Sequence, residues 1–249
     1  MPKLNLTQIR TQNNRVLKQY ENYGVKVFRK ALIEQATNPD PKIMQDAYLA
    51  FYERVFVDAA KREYNRIRMQ EKSFIPNSFF LATWKAWIRD WVVNNLKFGM
   101  IAKVNENTFN QIREVLGDAI EQGLNPFQTE KLLRKEIGSK TRATAIARTE
   151  STRANNMGKE RSAQEWANET GTVLYKTWIW GGSRDPRIEH VNLQNKPIPK
   201  DALFVGVDGK PMSKPGDLSG GPQNTINCSC TVVYISERFA RKNYPESFS

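Results

Sequence analysis

Histidine, cysteine and long apolar runs are all scarce in this sequence of 249 residues. Its single histidine is His190, so a metal centre built on two histidines is excluded. A Ser-His-Asp triad would have to use His190, yet no Gly-x-Ser-x-Gly elbow accompanies it. The Gly-x-x-x-x-Gly-Lys-Ser/Thr loop of P-loop ATPases is also missing. Without a complete catalytic constellation, the sequence predicts a protein that is not an enzyme.

The only cysteines are Cys228 and Cys230, which are too close in the chain for a good disulfide. We therefore expect reduced thiols and synthesis in the cytoplasm. No apolar run approaches the roughly 20 residues that a membrane span needs, and the N-terminus lacks the apolar core of a signal peptide. No membrane partner is expected.

Basic residues outnumber acidic ones by 38 to 26, so the formal net charge is +12 and the pI is near 9.7. Such an excess favours a polyanionic partner through counterion release. The basic residues are spread along the chain and form no arginine-rich arm. This distribution favours nonspecific contact with nucleic acid over sequence-specific binding, and solubility alone is the simpler alternative.

The first part of the chain, to about residue 140, has the apolar periodicity of successive helices. The predicted apolar faces are Val16, Tyr20, Tyr23 and Val27; Met44, Tyr48, Phe51, Tyr52, Val55 and Phe56; Trp84, Trp87, Ile88, Trp91 and Val92; and Phe109, Ile112, Val115, Leu116, Ala119 and Ile120. The charged segment 61–72 is expected to be solvated, and residues 75–78 are expected to begin the tryptophan-rich helix. That tryptophan face favours core packing, with a protein–protein contact as the alternative.

Glycine and proline predict the next helix boundaries. Gly123 suits a left-handed C-terminal cap, and Asn125-Pro126 supplies an N-cap with a first-turn proline. A long helix is then expected over residues 141–170, closed by Gly171.

After Gly171 the pattern changes to strands, predicted at residues 172–180 and 231–235, with a tight turn at Asp208-Gly209. Helices followed by a small sheet indicate an α+β fold. We predict a mainly helical N-terminal part, then a small C-terminal α+β domain with a long helix and a short antiparallel sheet. The predicted domains are residues 1–140 and 141–236, followed by a polar C-terminal tail at 237–249.

One loop and the last strand carry the residues best suited to bind a metal. Cysteines at i and i+2 of an extended chain face the same side, so Cys228 and Cys230 can share one cation. With His190 and one carboxylate, Asp185, they would complete a tetrahedral zinc site. The alternative is two small buried residues beside a histidine that is hydrogen-bonded to the backbone.

The long helix carries a charged residue, Glu150, on a face whose other residues predict burial. If that face is buried, Glu150 needs a partner, because an unpaired buried charge is costly. The candidates are Arg153, one turn further along the helix, and Arg187 from the loop. We interpret the pairing as a structural link, with an ordinary surface pair as the alternative.

These motifs occur in a characteristic order: Thr141-Arg142-Ala143-Thr144-Ala145-Ile146-Ala147-Arg148-Thr149-Glu150, Trp178, Asp185-Pro186-Arg187-Ile188-Glu189-His190, Pro215-Gly216-Asp217 and Asn227-Cys228-Ser229-Cys230. The ordered set, over about residues 115–236, resembles the phage Mu F-like head morphogenesis family. Arg148, Thr149, Glu150, Trp178, Arg187 and Asn227 are its structural motif residues here. Ser229 departs from the pattern, because the family commonly has arginine between the cysteines.

The resemblance implies a minor capsid protein of a tailed bacteriophage, present in few copies in the head. It implies contact with the portal protein or the major capsid protein, a scaffold contact as a further option, and nonspecific proximity to packaged DNA. The protein would then reside in the virion, inside the head at the portal vertex, after assembly in the host cytoplasm. Two alternatives remain: a metal-dependent nuclease using Asp185, Glu189 and His190, and a nonspecific DNA-binding protein without chemistry.

Overall fold

The structure is a computed structural model that describes residues 4–72, 80–98 and 100–248. Six helices come first: α1 (Leu6–Thr37), α2 (Pro41–Glu71), α3 (Leu81–Phe98), α4 (Met100–Glu121), α5 (Pro126–Ile137) and α6 (Lys140–Thr170). The rest of the described chain forms β1 (Leu174–Ile179), α7 (Ile188–Asn192), β2 (Ile198–Pro199), β3 (Phe204–Val205), β4 (Pro211–Met212), α8 (Gly221–Thr225), β5 (Thr231–Ser236) and α9 (Glu237–Asn243). The predicted α+β class is confirmed.

The chain packs as two compact units, and each of the long helices α1, α2 and α6 contributes to both. One unit comprises residues 1–20, 55–84 and 148–249, and the other comprises residues 21–54 and 85–147. The predicted domains at 1–140 and 141–236 stay a prediction, because packing units need not coincide with evolutionary domains.

The purely helical unit has an aromatic core. Phe28 lies 4.9 Å from Tyr48 and 5.0 Å from Phe51, measured between ring centroids. A Cβ on Gly24 would lie 2.7 Å from the Phe51 ring, so the absence of a side chain at Gly24 lets this ring pack against α1. The predicted α2 face is fully buried. On α1 the buried stripe runs through Leu17, Tyr20, Gly24 and Phe28, so most of the predicted face only borders it.

Helix boundaries follow the local signals. Gly123 has φ +63 after α4, and the Asn125 side chain accepts the N–H of Gln128, which completes a capping box at the start of α5. The predicted start of α3 at residues 75–78 lies outside the described residues. Trp84, Ile88 and Val92 of α3 are buried, as the core interpretation of that face predicts.

The second unit contains the sheet. Strand β1 lies between β2 and β5 and pairs antiparallel with both, with Leu174 opposite Ser236 and Ile179 opposite Thr231. A separate hairpin joins β3 to β4 around the predicted turn, where Asp208 has φ +58.

The C-terminal segment, predicted as a polar tail, packs on this sheet. Ala240 and Tyr244 are buried in one cluster with Ile179, Val233 and Ile235. The expectation that residues 61–72 are solvated is wrong for one face of α2, since Glu63, Tyr64 and Ile67 are buried. Tyr64 and Trp166 pack edge to face at 5.4 Å, so a charged composition concealed a helix face that belongs to the core. Within the described part of the chain, no helix has the length and apolarity needed to cross a membrane.

Candidate metal centre

The polar face of α6 binds the backbone of the segment that carries the cysteines. Thr149 is 5% exposed, and its hydroxyl accepts the N–H of Asn227 at 3.2 Å. One turn later, the buried Thr152 hydroxyl donates to the carbonyl of Cys228. The left-handed backbone of Asn227, with φ +55, precedes the two cysteines. Polar side chains on a buried helix face therefore have backbone partners here.

Asn156 continues this pattern on the next turn of α6. Its side-chain Nδ2 donates to the carbonyl of Cys230 at 3.1 Å, while Oδ1 accepts the backbone N–H of Val232 at 3.0 Å. The same Oδ1 also accepts the Thr231 hydroxyl at 3.0 Å. Because Asn156 is fully buried, these bonds replace those that water would otherwise supply.

His190 lies on the short helix α7, and a single amide fixes its orientation. Its Nε2 is 3.0 Å from the Oδ1 of Asn224. That Oδ1 also accepts the N–H of Val207 at 2.9 Å, and Nδ2 of the same amide donates to the carbonyl of Gly220 at 2.7 Å. The amide oxygen therefore acts as an acceptor, so Nε2 of His190 carries the proton. Nδ1 is left with a free lone pair.

That lone pair faces both thiols. Nδ1 of His190 lies 3.8 Å from Sγ of Cys228 and 3.8 Å from Sγ of Cys230. All three ligand atoms lie within 4.8 Å of one another, and the three residues are buried. Zinc bonds of about 2.0–2.1 Å to nitrogen and 2.3 Å to sulfur place tetrahedral ligand atoms roughly 3.6 Å apart. The arrangement is therefore close to what a zinc ion requires.

The pKa values of the two thiols shift in opposite directions. The hydrogen bond from Cys228 lowers the pKa of Cys230 well below its usual value, against the opposing effect of burial. The same hydrogen bond, together with burial, raises the pKa of Cys228. One thiolate is thus stabilised before any ion binds, and a cation would displace the remaining proton.

Trp178 forms the buried wall behind the imidazole. It is fully buried in β1, and its ring contacts His190 edge to face at 4.9 Å and Phe204 at 5.2 Å. The tryptophan of the sequence motif therefore packs against the histidine ring and restricts its movement.

Asp185, the fourth predicted ligand, is not grouped with the other three. It is exposed and lines a cavity of about 310 Å³ beside the cluster, together with Arg187, Ser183 and Trp180. Arg187 donates to the carbonyl of Ile226 at 2.8 Å, which holds it at the cavity wall. The structure brings His190, Cys228 and Cys230 together and leaves a carboxylate at the edge of their cavity.

Glu150 has its predicted partner in Arg153. Nη1 of Arg153 lies 2.6 Å from the carboxylate, and both side chains are almost fully buried. Nε of Arg153 donates to the carbonyl of Gly216 at 3.1 Å, which ties the Pro-Gly-Asp motif to α6. Arg148, the neighbouring motif residue, is exposed on the same helix.

Three residues that support the cluster were not identified from the sequence: Thr152, Asn156 and Asn224. Thr149, Thr152 and Asn156 recur at helical spacing, so a buried polar stripe was the available signal. Asn224 offers no comparable pattern, because it meets His190 across 34 residues of chain.

One comparison with known protein families matches the part of the chain that carries the cluster. Residues 110–233 match the family model described as Phage Mu protein F like protein. No curated protein and no solved structure matches the chain. The matched span contains every residue of the cluster and of the motifs that support it. Residues 110–233 therefore belong to the phage Mu F-like family, and this membership points to phage head morphogenesis.

Proposed function

We propose that this chain is a minor head protein of a tailed bacteriophage, structural rather than catalytic, whose cluster of His190, Cys228 and Cys230 binds one zinc ion. The observation that carries the proposal is a buried set of three ligands whose geometry is fixed by second-layer hydrogen bonds. Asn224 sets the histidine tautomer, and α6 holds the cysteine backbone. Such a site suits an ion that stabilises a fold.

Zinc would cross-link a segment with little apolar material of its own. Residues 183–226 contain six prolines and mostly short elements, so their order depends on a few long-range contacts. His190 and Cys228 are 38 residues apart, and an ion between them would close that loop. Bound zinc would supply this cross-link, and the fourth ligand would be water, Asp185 or a partner's side chain.

The proposed partners are the portal protein or the major capsid protein, with a scaffold contact as a further option. The proposed location is the inner face of the head at the portal vertex. The net charge of +12 supports a position beside packaged DNA, where phosphates would balance it. Membership of a head-morphogenesis family supports the virion as the destination.

Particle fractionation tests the head role. Procapsids, mature heads and the soluble fraction from infected cells would be separated by sedimentation and searched for this protein by mass spectrometry. We expect a few copies per head, and loss of the protein from heads that assemble without a portal. Recovery from the soluble fraction alone would overturn the head role.

Metal analysis tests the zinc role separately. The purified chain is expected to hold one zinc ion, and His190→Ala or Cys228→Ser should lower zinc content, melting temperature and head assembly together. Ser183→Ala, at an exposed position on the same cavity wall, is the matched control. A Cys228→Ser protein that melts and assembles like the unmodified chain would show that the cluster is not a structural link.

A second candidate function, a metal-dependent nuclease, is favoured by one observation. The cavity of about 310 Å³ beside the cluster is lined by Asp185 and Arg187, which would flank an open coordination position. A plasmid-nicking assay with zinc, magnesium and manganese separates the two functions. Cleavage that disappears in Cys228→Ser and Asp185→Asn would favour the nuclease, and intact plasmid at high protein excess would exclude it.

A nonspecific DNA-binding role is compatible with the head role and would be recognised by a steep loss of affinity with salt.

A further inference from the structure

A second polar cavity lies in the sheet-containing unit, and none of the metal ligands lines it. Its volume is about 140 Å³, and it is lined by residues of α1, α2, α6 and β5 and open to solvent at Gln12. One water takes roughly 30 Å³ in the liquid, so the space exceeds that of a single water. Its polar lining consists of Gln12, Asn13, Arg62, Arg66, Asn155 and Lys159, together with the acidic Glu63.

Two of the three cations in this lining already have carboxylate partners. Arg66 pairs with the buried Glu63 at 2.8 Å, and Arg62 pairs with Asp58 at 3.0 Å. These pairs are close to neutral as units. The charge that remains at the cavity is that of Lys159.

Lys159 donates hydrogen bonds only to neutral groups among the residues that the structure describes, and the buried Glu63 acts on it through its charge alone. Its ammonium donates to the Thr231 hydroxyl at 2.7 Å and to the Val232 carbonyl at 3.3 Å, and no described carboxylate lies within 4.0 Å. An ammonium carries three hydrogens, so one is left for a ligand. Burial lowers the pKa of Lys159 to about 8, with the charge of Glu63 opposing the shift. An anion in the cavity would therefore offset an existing desolvation cost.

The neighbouring amides have donors to spare. Asn155 makes a long bond of 3.4 Å to Asn13, and Asn13 makes one of 3.4 Å to the carbonyl of Ser229. Each amide nitrogen carries two hydrogens and donates one of them in a single long bond of 3.4 Å. Donors thus surround the cavity from α1, α2 and α6, which suits a ligand with several acceptor oxygens better than a carboxylate with two.

We propose that this cavity binds a phosphate group, either as the free ion or as part of a nucleic-acid backbone. The Lys159 ammonium would be its direct charge partner, while Arg62, Arg66 and the two asparagine amides complete the donor set. None of the proposed phosphate donors is a zinc ligand, so phosphate binding and zinc content are measured separately and the two proposals can fail separately.

The test is calorimetric titration of the full chain with inorganic phosphate at constant ionic strength, with chloride as the reference anion. Lys159→Met removes the central charge and should lower phosphate affinity roughly tenfold or more. Gln12→Glu places a negative charge at the exposed mouth of the cavity without disturbing the buried network, and should also weaken binding. Lys196→Met removes one exposed positive charge elsewhere in the same unit and should leave phosphate binding unchanged.

A parallel titration with a short single-stranded oligonucleotide identifies the source of the phosphate. If Lys159→Met and Gln12→Glu weaken both ligands more than Lys196→Met does, the site takes a nucleic-acid phosphate. If they weaken inorganic phosphate alone, the site takes the free ion. The proposal is overturned if phosphate gives no more heat than chloride, or if Gln12→Glu and Lys196→Met leave its binding equally unchanged.

Discussion

The side chain of Asn156, in the middle of α6, accepts the backbone N–H of Val232 at 3.0 Å, on the last strand of the sheet. Its amide nitrogen donates to the carbonyl of Cys230, two residues earlier. One helix side chain thus makes the pair of bonds that a neighbouring strand would make. These bonds satisfy a polar side chain within residues 149–157, the stretch of α6 that is buried throughout.

Asn156→Ala should destabilise the protein by roughly 2–4 kcal/mol, because two buried backbone groups lose their partners along with the side-chain bonds. Chemical denaturation monitored by circular dichroism measures the change. Asn168→Ala, at an exposed position of the same helix, is the control and should cost well under 1 kcal/mol. Equal effects of the two substitutions would contradict the role assigned to Asn156.

Asn224→Ala should reduce zinc affinity roughly 10- to 100-fold, because His190 loses the acceptor that fixes its tautomer. Competition with a chromophoric chelator measures this affinity. Asn224→Asp keeps an acceptor oxygen and should bind zinc more tightly than Asn224→Ala does. Unchanged affinity in Asn224→Ala would mean that the imidazole is positioned by Trp178 alone.

Gly216→Ala should cost roughly 2–4 kcal/mol for two separate reasons. Its φ is +83, and an added Cβ would lie 2.9 Å from Cα of Arg153, in the backbone of α6. Gly123→Ala provides the comparison: its φ is +63, and no described atom lies within 4 Å of the added Cβ. That variant should cost about 1 kcal/mol, so the difference between the two melting curves reports the close approach to α6.

Lys176→Met should change how stability depends on pH. Lys176 is 1% exposed and donates to the carbonyl of Ser213, and burial lowers its pKa to about 8, against the opposing charge of Glu160. The folded protein therefore releases this proton at lower pH than the unfolded chain does. The desolvation cost is fully present below pH 8 and is relieved as the pH rises toward the unfolded value near 10.4.

Urea denaturation at pH 7 and pH 9.5 measures this effect. The unmodified chain should gain on the order of 2 kcal/mol more than Lys176→Met over that interval. Lys196→Met, which removes an exposed lysine, should behave like the unmodified chain. Parallel pH profiles for Lys176→Met and the unmodified chain would show that the lysine keeps its charge throughout.

Local patterns predicted much of the helical part. The α2 face from Met44 to Phe56 and the caps at Gly123 and Asn125 depend on residues within a turn or two, so periodicity and capping chemistry identify them. The buried stripe of α1 instead passes through Gly24, where the Phe51 ring packs closely against the helix. A glycine does not register in a count of apolar residues.

The metal cluster was partly predictable for a similar reason. Cys-x-Cys and a lone histidine limit the ligand choice, whereas the exposed position of Asp185 depends on how the loop folds. Asn156 and Asn224 reach partners 74 and 34 residues away, and no local pattern encodes such a meeting. The same limit applies to Glu63. Its charge predicted exposure to solvent, but its carboxylate is buried and accepts the N–H of Tyr234 at 3.1 Å.

The pairing of β1 with β5 also constrains the order of events during synthesis. Leu174 lies opposite Ser236, and Arg10 of α1 donates to the carbonyl of Trp180 at the end of β1. The sheet-containing unit can therefore close around α1 only after residue 236 has left the ribosome. A chain interrupted anywhere before that point would present long helices with exposed core faces, which are substrates for chaperones and proteases. Closure of the sheet-containing unit therefore depends on the emergence of β5 from the ribosome.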